Sequence, residues 1–408
     1  MIRFLHTADL HLDSPFKGIT DMPIARLTEL RESTFAAYEK MIQYAETVLP
    51  DFVLIVGDIY DGEDRSLRAQ VRFVKGLERL QQAGIPVFLS FGNHDHLAGK
   101  WTRFQLPNNV TVFGPEVETA ELIVRGQRVR IHGFSYQQRH IKEAMIQHYP
   151  KVNHELDIVD IGMLHGSIAG EETHAVYAPF TKEALLDKGY QYWALGHIHK
   201  RQVLFNEPPI VYSGNLQGRH LNEAGVKGFY EVELIERQSK LKFVPTSVLV
   251  FDEIEVDCSE ISLANEWLEA CQQKANEIIE QSGSCILRIR NVRLSRDALQ
   301  LFSGSAEEEW LEVLRESADR RVWFSGISYE SVTGSTLLPD SPLVRSVKEQ
   351  MDHWDENQWK LVLQDLYQHA RSAPFLSALN ESMKIQLKEE AGLHISSELS
   401  SEDRGDVS

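Results

Sequence analysis

Short apolar runs alternate with helical patterns over the first 235 or so residues, and this alternation restricts the fold more than any other feature. The runs Ile2–Ala8, Phe52–Val56 and Ile85–Phe91 are typical of strands, the last two of strands buried on both faces. Helical periodicity occupies Ile24–Leu49 and Leu67–Ala83. Strands that alternate with helices predict a layered α/β domain, in which ligands bind beyond the carboxyl ends of the strands.

The pattern continues along the chain. We expect five further strands, at Val129–Gly133, Ile158–Leu164, Tyr192–Leu195, Ile210–Ser213 and Gly228–Leu234. We expect two further helices, at Gln137–Tyr149 and Pro179–Lys188.

The pattern of apolar and polar residues changes after residue 250. Helix, strand, helix and strand patterns follow one another and predict a small α+β domain over residues 250–335. Residues 341–391 have a purely helical pattern, and residues 392–408 form a Ser/Asp/Glu-rich tail that we expect to be disordered. Together with a first domain over residues 1–240, these make four predicted regions.

Charge and cysteine content restrict the possible functions. The net charge is −18, and residues 251–408 carry 15 Lys and Arg against 30 Asp and Glu. A nucleic-acid function must therefore rest on local positive charge, bound metal ions or a basic partner. The three cysteines, the absence of an export signal at the start and the lack of a long apolar run predict a cytoplasmic protein with reduced thiols and no membrane span.

Five turns, each following a predicted strand, carry residues that bind hard or borderline metal ions. They are Asp9-Leu10-His11, Gly57-Asp58, Gly92-Asn93-His94-Asp95, His165-Gly166 and Gly196-His197-Ile198-His199. Because parallel strands bring their carboxyl ends to one edge of a sheet, we expect these turns to converge. Carboxylate, amide and imidazole ligands suit Mn²⁺, Fe²⁺ or Zn²⁺.

In this order the five turns resemble the signatures of the calcineurin-like metallophosphoesterases, over roughly residues 1–215. The opening His6-Thr7-Ala8-Asp9-Leu10-His11-Leu12 is similar to that of the SbcD-type DNA repair nucleases. The resemblance implies a β-sandwich flanked by helices, a small α+β capping domain that binds DNA, and a helical C-terminal region. It also implies hydrolysis of a phosphoester with two divalent ions, which in such sites lie roughly 3.5–4 Å apart.

The resemblance further implies a role for each residue of the turns. One ion would be held by Asp9, His11 and His199, the other by Asn93, His165 and His197, with Asp58 bridging the two. His94 would stabilise the phosphoryl oxygens or protonate the leaving alkoxide, and Asp95 would orient His94 through a ring nitrogen.

Other polar residues have weaker signals. His6 lies inside the first strand, and we interpret it as a buried structural histidine. Arg219 and His220 lie in a polar, glycine-containing loop and are candidate substrate contacts, although a plain connecting loop fits the same residues. His174 is interpreted as a surface or core histidine, although its loop follows a metal-binding turn and could meet substrate. The basic stretch around Arg128 is interpreted as a solvated strand face.

The turns predict the reaction and leave the substrate open. The SbcD-type resemblance favours a Mn²⁺-dependent DNA nuclease of DNA repair, 3′–5′ exonuclease-like, that forms a homodimer and works with an SMC-like coiled-coil ATPase. Residues 341–391 would bind that partner, or else pack on their own domain. Two alternatives remain: a small-molecule or nucleotide phosphodiesterase or phosphatase of the same superfamily, and a non-catalytic scaffold.

Overall fold

Two six-stranded sheets form the first part of the molecule. The computed structural model describes residues 1–16, 22–62, 66–99, 102, 104–152, 158–169, 177–235, 238–303, 305–330, 342–367, 383–384, 387–388 and 391. The first sheet has the order β12-β11-β1-β2-β3-β4, and β1 to β4 are parallel to one another. Its strands are β1 (Ile2–Ala8), β2 (Phe52–Val56), β3 (Val87–Ser90), β4 (Val110–Val112), β11 (Gly228–Ile235) and β12 (Gln238–Pro245).

The second sheet has the order β5-β6-β7-β8-β10-β9, with β6, β7, β8 and β10 parallel. Its strands are β5 (Glu118–Val124), β6 (Gln127–Gly133), β7 (Ile158–His165), β8 (Tyr192–Gly196), β9 (Gln202–Asn206) and β10 (Pro209–Tyr212). Buried side chains of both sheets, among them Phe4 and Leu54 from the first and Ile131 and Ile161 from the second, form one hydrophobic core. The two sheets therefore pack face to face as a sandwich.

Helices cover the outer faces of the sandwich. Helices α1 (Ile24–Val48) and α2 (Leu67–Gln82) pack their apolar sides on the first sheet. Ser66 begins α2 by accepting a hydrogen bond from the backbone of Ala69, as an N-cap residue does. The short helix α3 (Lys182–Leu186) contributes Leu185 to a core on the second sheet. The predicted α/β class, a β-sandwich flanked by helices, is confirmed.

The later part of the chain adds a third sheet and more helices. The sheet has the order β13-β14-β15. The elements are β13 (Leu249–Asp257), α4 (Ala264–Ser282), β14 (Ser284–Val292), α5 (Arg296–Ser303), α6 (Glu307–Ser317), β15 (Val322–Tyr329), α7 (Pro342–Asp352), α8 (Glu356–Val362) and α9 (Gln364–Tyr367). Cys258, Cys271 and Cys285 are free and buried, as the sequence predicts.

The chain divides into two compact units. The first comprises Met1–Glu253, Ala275–Leu287 and Asp319–Trp323, and the second comprises Ile254–Lys274, Arg288–Ala318 and the described residues of Phe324–Ser408. Among the described residues, no helix combines the length and apolar character that a membrane crossing requires. The predicted tail over residues 392–408 lies outside the described residues, as does most of the stretch after residue 367.

The helix predicted at Gln137–Tyr149 is wrong over most of its length. Only Met145–His148 is helical, as a single 3-10 turn, while residues 137–140 are exposed and irregular. Met145, Ile146 and Tyr149 are buried in the core of the second sheet. The spacing of these three residues matches one face of a helix. Tertiary packing, rather than helix propensity, determines the backbone conformation of this segment.

Candidate metal centre

The five predicted turns converge at the carboxyl ends of strands from both sheets. Asp9 follows β1 directly, and its backbone N–H donates to the carbonyl oxygen of Gly57 after β2 at 3.1 Å. The N–H of His11 donates to the carbonyl oxygen of Asp58 at 3.0 Å. His165 is the last residue of β7 in the second sheet. The sandwich therefore brings together turns that are far apart in the chain, such as those of His11 and His199, which are separated by 188 residues.

Four donor side chains form the first cluster. Metal-binding atoms of Asp9, His11, Asp58 and His199 all lie within 4.8 Å of one another. The Nε2 atoms of His11 and His199 face each other at 3.0 Å. Nε2 of His11 lies 3.8 Å from Oδ2 of Asp58, and Nε2 of His199 lies 3.9 Å from Oδ1 of Asp9. Oxygen and nitrogen donors so close together fit a divalent cation of borderline softness.

A second group of donors adjoins Asp58. Oδ1 of Asn93 lies 3.0 Å from Nε2 of His165 and 3.1 Å from Nδ1 of His197. Nε2 of His165 also lies 3.4 Å from Oδ2 of Asp58. Asp58 thus contacts histidines of both groups, which is the position a bridging carboxylate would need.

The backbone is strained at four of these positions. The φ angles of Asp9, His11, Asp58 and His197 are 52°, 42°, 49° and 98°. Residues other than glycine rarely adopt positive φ, and each such residue costs on the order of 1–3 kcal/mol. Such strain clusters at functional sites, where the surrounding structure holds it in place.

Glycines permit the close approach of the turns. A Cβ atom on Gly92 would lie 2.3 Å from Oδ1 of Asp58 and 2.8 Å from Nε2 of His165. A Cβ atom on Gly196 would lie 2.1 Å from the carbonyl oxygen of Val56. A side chain at Gly92 would fill space that donor atoms of the cluster occupy, and a side chain at Gly196 would overlap the backbone at the end of β2.

Burial and mutual charge determine the protonation of the site. Burial lowers the pKa of His165, but the neighbouring Asp58 carboxylate outweighs this effect and raises that pKa to about 9. Burial would raise the pKa of Asp58, yet the His165 imidazole holds it well below its usual range. Burial raises the pKa of Asp9 to about 6 and lowers the pKa of His11 to about 3. His165 therefore carries an extra proton at neutral pH in the metal-free protein, and a divalent cation bound by its ring would displace that proton.

His94 lies beside the donors and faces a cavity. Its backbone N–H donates to Oδ1 of Asp58 at 3.0 Å, and its half-buried ring packs edge-on against His11, with ring centroids 5.1 Å apart. Metal-binding atoms of His94 also lie within 4.8 Å of those of His11 and Asp61. This geometry leaves the ring at the edge of the donor cluster, where it can reach a substrate.

Asp95 binds backbone groups of two turns. Oδ2 accepts from the backbone N–H groups of Ile59 at 2.7 Å and Tyr60 at 3.4 Å, and Oδ1 accepts from the N–H of Gly92 at 2.7 Å. The carboxylate therefore ties the turn after β3 to the turn after β2. The predicted contact between Asp95 and a ring nitrogen of His94 stays a prediction.

The cavity beside His94 has a volume of about 410 Å³ and a partly cationic lining. Its walls include Arg219 and His220, the two candidate substrate contacts, and also Arg139. The Arg219 guanidinium is bound by two carboxylates, Asp61 and Glu223, whereas the His220 side chain is exposed. The cavity walls thus place three basic side chains beside the donors, Arg139, Arg219 and His220, together with the Asp61 carboxylate that binds Arg219.

Asp61 and Glu223 are not among the predicted site residues, yet both contact histidines of the first cluster. Asp61 Oδ1 lies 3.1 Å from Nδ1 of His11, and Glu223 Oε1 lies 2.6 Å from Nδ1 of His199. Asp61 shares its turn with Asp58, which is a signal that the sequence offers. Glu223 lies on a single 3-10 turn, Leu221–Glu223, far from any strand-end motif, and has no such signal.

The remaining candidates lie elsewhere. His6 is fully buried, with Nδ1 accepting from the Tyr192 hydroxyl at 2.9 Å and Nε2 donating to the carbonyl oxygen of Leu195 at 3.2 Å, which confirms a structural histidine. Arg130 pairs with the Asp160 carboxylate. His174 lies outside the described residues.

Comparison with known proteins identifies relatives over the whole chain. A family model for calcineurin-like phosphoesterases matches residues 2–201. Over 404 residues the chain is 34% identical to a protein named "Uncharacterized metallophosphoesterase YhaO" from Bacillus subtilis, and the match covers 98% of each chain.

Two more distant relatives have names that refer to DNA repair or to a nuclease. The DNA double-strand break repair protein Mre11 of Aeropyrum pernix is 24% identical over 247 residues, which cover 56% of each chain. A protein of Staphylococcus epidermidis that is named as a component of the nuclease SbcCD is 24% identical over 277 residues, which cover 61% of this chain and 70% of that protein.

Proposed function

Because the chain belongs to the calcineurin-like metallophosphoesterases, we propose that it hydrolyses phosphodiester bonds of DNA with two divalent ions, most favourably Mn²⁺. The observation that carries the proposal is the set of seven donor side chains gathered around Asp58 (Asp9, His11, Asp58, Asn93, His165, His197 and His199).

The proposed ligands divide between two positions. Asp9, His11 and His199 would hold one ion and Asn93, His165 and His197 the other, with Asp58 shared. When bound, such ions activate water and polarise the phosphoryl group, which supplies the hydrolytic chemistry.

Protein side chains would perform the remaining steps. Asp58 would reduce the repulsion between two dications, because its carboxylate adjoins both donor groups. His94, at the edge of the cavity, would donate a hydrogen bond to the phosphoryl oxygens or a proton to the leaving alkoxide. Arg219 and His220 would contact the phosphate backbone, and Asp95 keeps the turn that carries His94 in place through its backbone bonds.

DNA is favoured as the substrate by two relatives whose names refer to DNA repair or to a nuclease. In this proposal the enzyme is a 3′–5′ exonuclease-like homodimer of the cytoplasm. Residues 250–335 contribute to DNA binding, and residues 341–391 bind an SMC-like coiled-coil ATPase. Because acidic residues are in excess after residue 250, DNA contact there would rest on local positive charge, and the same excess suits a basic surface on the partner.

A nucleotide phosphodiesterase is the second candidate. The cavity of about 410 Å³ lies within the range of roughly 300–1,000 Å³ that is usual for small-molecule sites. A mononucleotide would fit this volume, and its phosphate would meet the same cationic lining.

The test is a substrate comparison with the purified full chain. Linear double-stranded DNA labelled at either end, single-stranded DNA and cyclic nucleotides are each incubated with Mn²⁺, with and without a co-purified coiled-coil ATPase. Shortening of DNA from its 3′ end supports the proposal. Hydrolysis of nucleotides alone supports the second candidate. If the wild type and the His94→Ala variant hydrolyse every substrate equally and negligibly, the chain is a non-catalytic scaffold.

A further inference from the structure

Two carboxylates approach the outer nitrogens of the two histidines that face each other in the first cluster. Oε1 of Glu223 lies 2.6 Å from Nδ1 of His199, and Oδ1 of Asp61 lies 3.1 Å from Nδ1 of His11. On the inner side, the Nε2 atoms of the two rings lie 3.0 Å apart. The His199 imidazole is thus held between the Glu223 carboxylate and a shared centre, whereas Nδ1 of His11 makes no hydrogen bond with Asp61 despite the short distance.

Several donors orient the buried Glu223 carboxylate independently of His199. Oε2 accepts from the side-chain amide of Asn215 and from the backbone N–H of Arg219, both at 2.8 Å. Nε2 of His220 lies 3.2 Å from Oε1. These contacts keep Oε1 directed at the His199 ring.

An ionised carboxylate can only accept hydrogen bonds. Its short contact with His199 therefore requires that Nδ1 of His199 carries the proton. The lone pair of the ring then lies on Nε2, which faces Nε2 of His11 and Oδ1 of Asp9.

We infer that Glu223 is a positioning residue that holds His199 as the Nδ1–H tautomer and directs its Nε2 lone pair to the metal position shared with His11. Carboxylate partners of this kind orient histidine ligands and make them more basic. The inference rests on the proposed metal site and is independent of the substrate.

Arg219 creates the competing arrangement. Its guanidinium joins the Asp61 and Glu223 carboxylates, with Nη2 lying 3.2 Å from Oε1 of Glu223 and also 3.1 Å from Nδ1 of His199. If Arg219 donated a hydrogen bond to His199, Nδ1 of His199 would be unprotonated and the ring proton would lie on Nε2. We favour the carboxylate as the partner because its contact is shorter and charge-assisted.

The experiment combines metal titration with proton NMR. Zn²⁺ is the probe because it is diamagnetic, and its binding to the metal-free full chain is measured by calorimetry. In the Zn²⁺-loaded protein, a strongly hydrogen-bonded imidazole N–H gives a downfield proton resonance, which a His199→Gln variant assigns. The variants are Glu223→Ala and Glu223→Gln.

The matched control is Glu231→Gln. Glu231 is nearly as buried, with 7% of its surface exposed against 5% for Glu223. Its carboxylate accepts from the Tyr44 hydroxyl and from Lys242, and these contacts involve no histidine.

We expect Glu223→Ala to abolish the His199 resonance and to weaken Zn²⁺ binding about 10–100-fold. Glu223→Gln replaces one carboxylate oxygen by an NH2 group, and His199 would compete with the N–H groups of Asn215 and Arg219 for the remaining oxygen, so the resonance should move upfield or disappear and Zn²⁺ binding should weaken. Glu231→Gln should match the wild type in both measurements. Should the Ala variant unfold, the Gln variant alone still tests the inference through the shift of the resonance.

Two failures are distinguishable. Absence of Zn²⁺ binding by the wild type would contradict the proposed metal site. If the wild type binds Zn²⁺ normally but shows no assignable His199 resonance, the role of Glu223 is overturned and Arg219 is favoured as the partner. The same conclusion follows if neither Glu223 variant changes the resonance or the Zn²⁺ affinity.

Discussion

Nδ1 of His165 donates a hydrogen bond to the carbonyl oxygen of Val56 at 3.0 Å. The bond joins the last residue of β7 in the second sheet to the last residue of β2 in the first. Because Nδ1 carries the proton, Nε2 is the nitrogen that faces Asn93 and Asp58. The joint between the sheets and the proposed metal ligand are therefore the same side chain.

Asp58→Asn should prevent the binding of both ions, since this carboxylate adjoins histidines of both donor groups. Calorimetric titration with Mn²⁺ would show a stoichiometry well below two. Asp187→Asn is the control, because Asp187 is exposed and pairs with Lys151. Two ions bound by the Asp58 variant with wild-type affinity would contradict the bridging role.

His94→Ala should retain both ions and lose turnover, by roughly 10²–10⁴-fold if the ring acts as a general acid. The comparison needs a model phosphodiester assay and the same Mn²⁺ titration. His148→Ala, which removes an exposed histidine paired with Glu143, should match the wild type. Loss of an ion in the His94 variant would instead identify His94 as a ligand beside His11 and Asp61.

Gly92→Ala should disrupt the centre without removing any ligand, because the added methyl group would lie 2.3 Å from Oδ1 of Asp58. We expect weaker Mn²⁺ binding and a free energy of unfolding lower by about 1–3 kcal/mol, as for other overpacked sites. A Cβ atom on Gly62 meets nothing within 4 Å, so Gly62→Ala is the control. Wild-type stability and Mn²⁺ affinity in the Gly92 variant would show that the close approach is unimportant.

His6 should make folding stability depend on pH. Burial lowers its pKa to about 3 in the folded protein, against 6.5 for an unperturbed histidine. Between these values the unfolded chain binds more protons than the folded one. Stability is therefore full above about pH 6.5 and falls with decreasing pH, at about 1.4 kcal/mol per pH unit from this group.

His6→Gln tests this dependence. Urea unfolding of the metal-free wild type and variant at pH 7, 6 and 5 gives the two slopes. The variant should be less stable at pH 7, by about 1–3 kcal/mol, because the Tyr192 and Leu195 groups lose their partner. Its stability should also fall less steeply with decreasing pH. Parallel slopes would show that His6 does not titrate in this range.

The sequence predicts the interior of the fold better than its edges. The central strands β2 and β8 are continuous apolar runs because both of their faces are buried, and β1 and β7 are largely apolar, with a few polar residues such as Arg3 and Asp160. The edge strands β5 and β12 contain exposed charged residues, and β9 is exposed over most of its length, so no long buried apolar run marks any of them. We predicted none of these three.

The donor set was predictable because each side chain follows a strand, and parallel strands end together. Glu223 was not predictable, since its contact with His199 depends on how the loop after β10 folds back on the last turn. The residues around Glu223 in the sequence do not indicate such a contact. The helix predicted at Gln137–Tyr149 failed for a related reason, because buried residues at helical spacing belong to an irregular segment.

Asp9, His11, Asp58 and His197 occupy backbone conformations that glycine would adopt without strain. Replacement by glycine would relieve the backbone strain at these positions while deleting the groups proposed to bind the metal ions. Directed evolution for thermal stability alone would therefore favour substitutions at these four positions that inactivate the enzyme. A selection that preserves the enzyme has to measure thermal stability and turnover together.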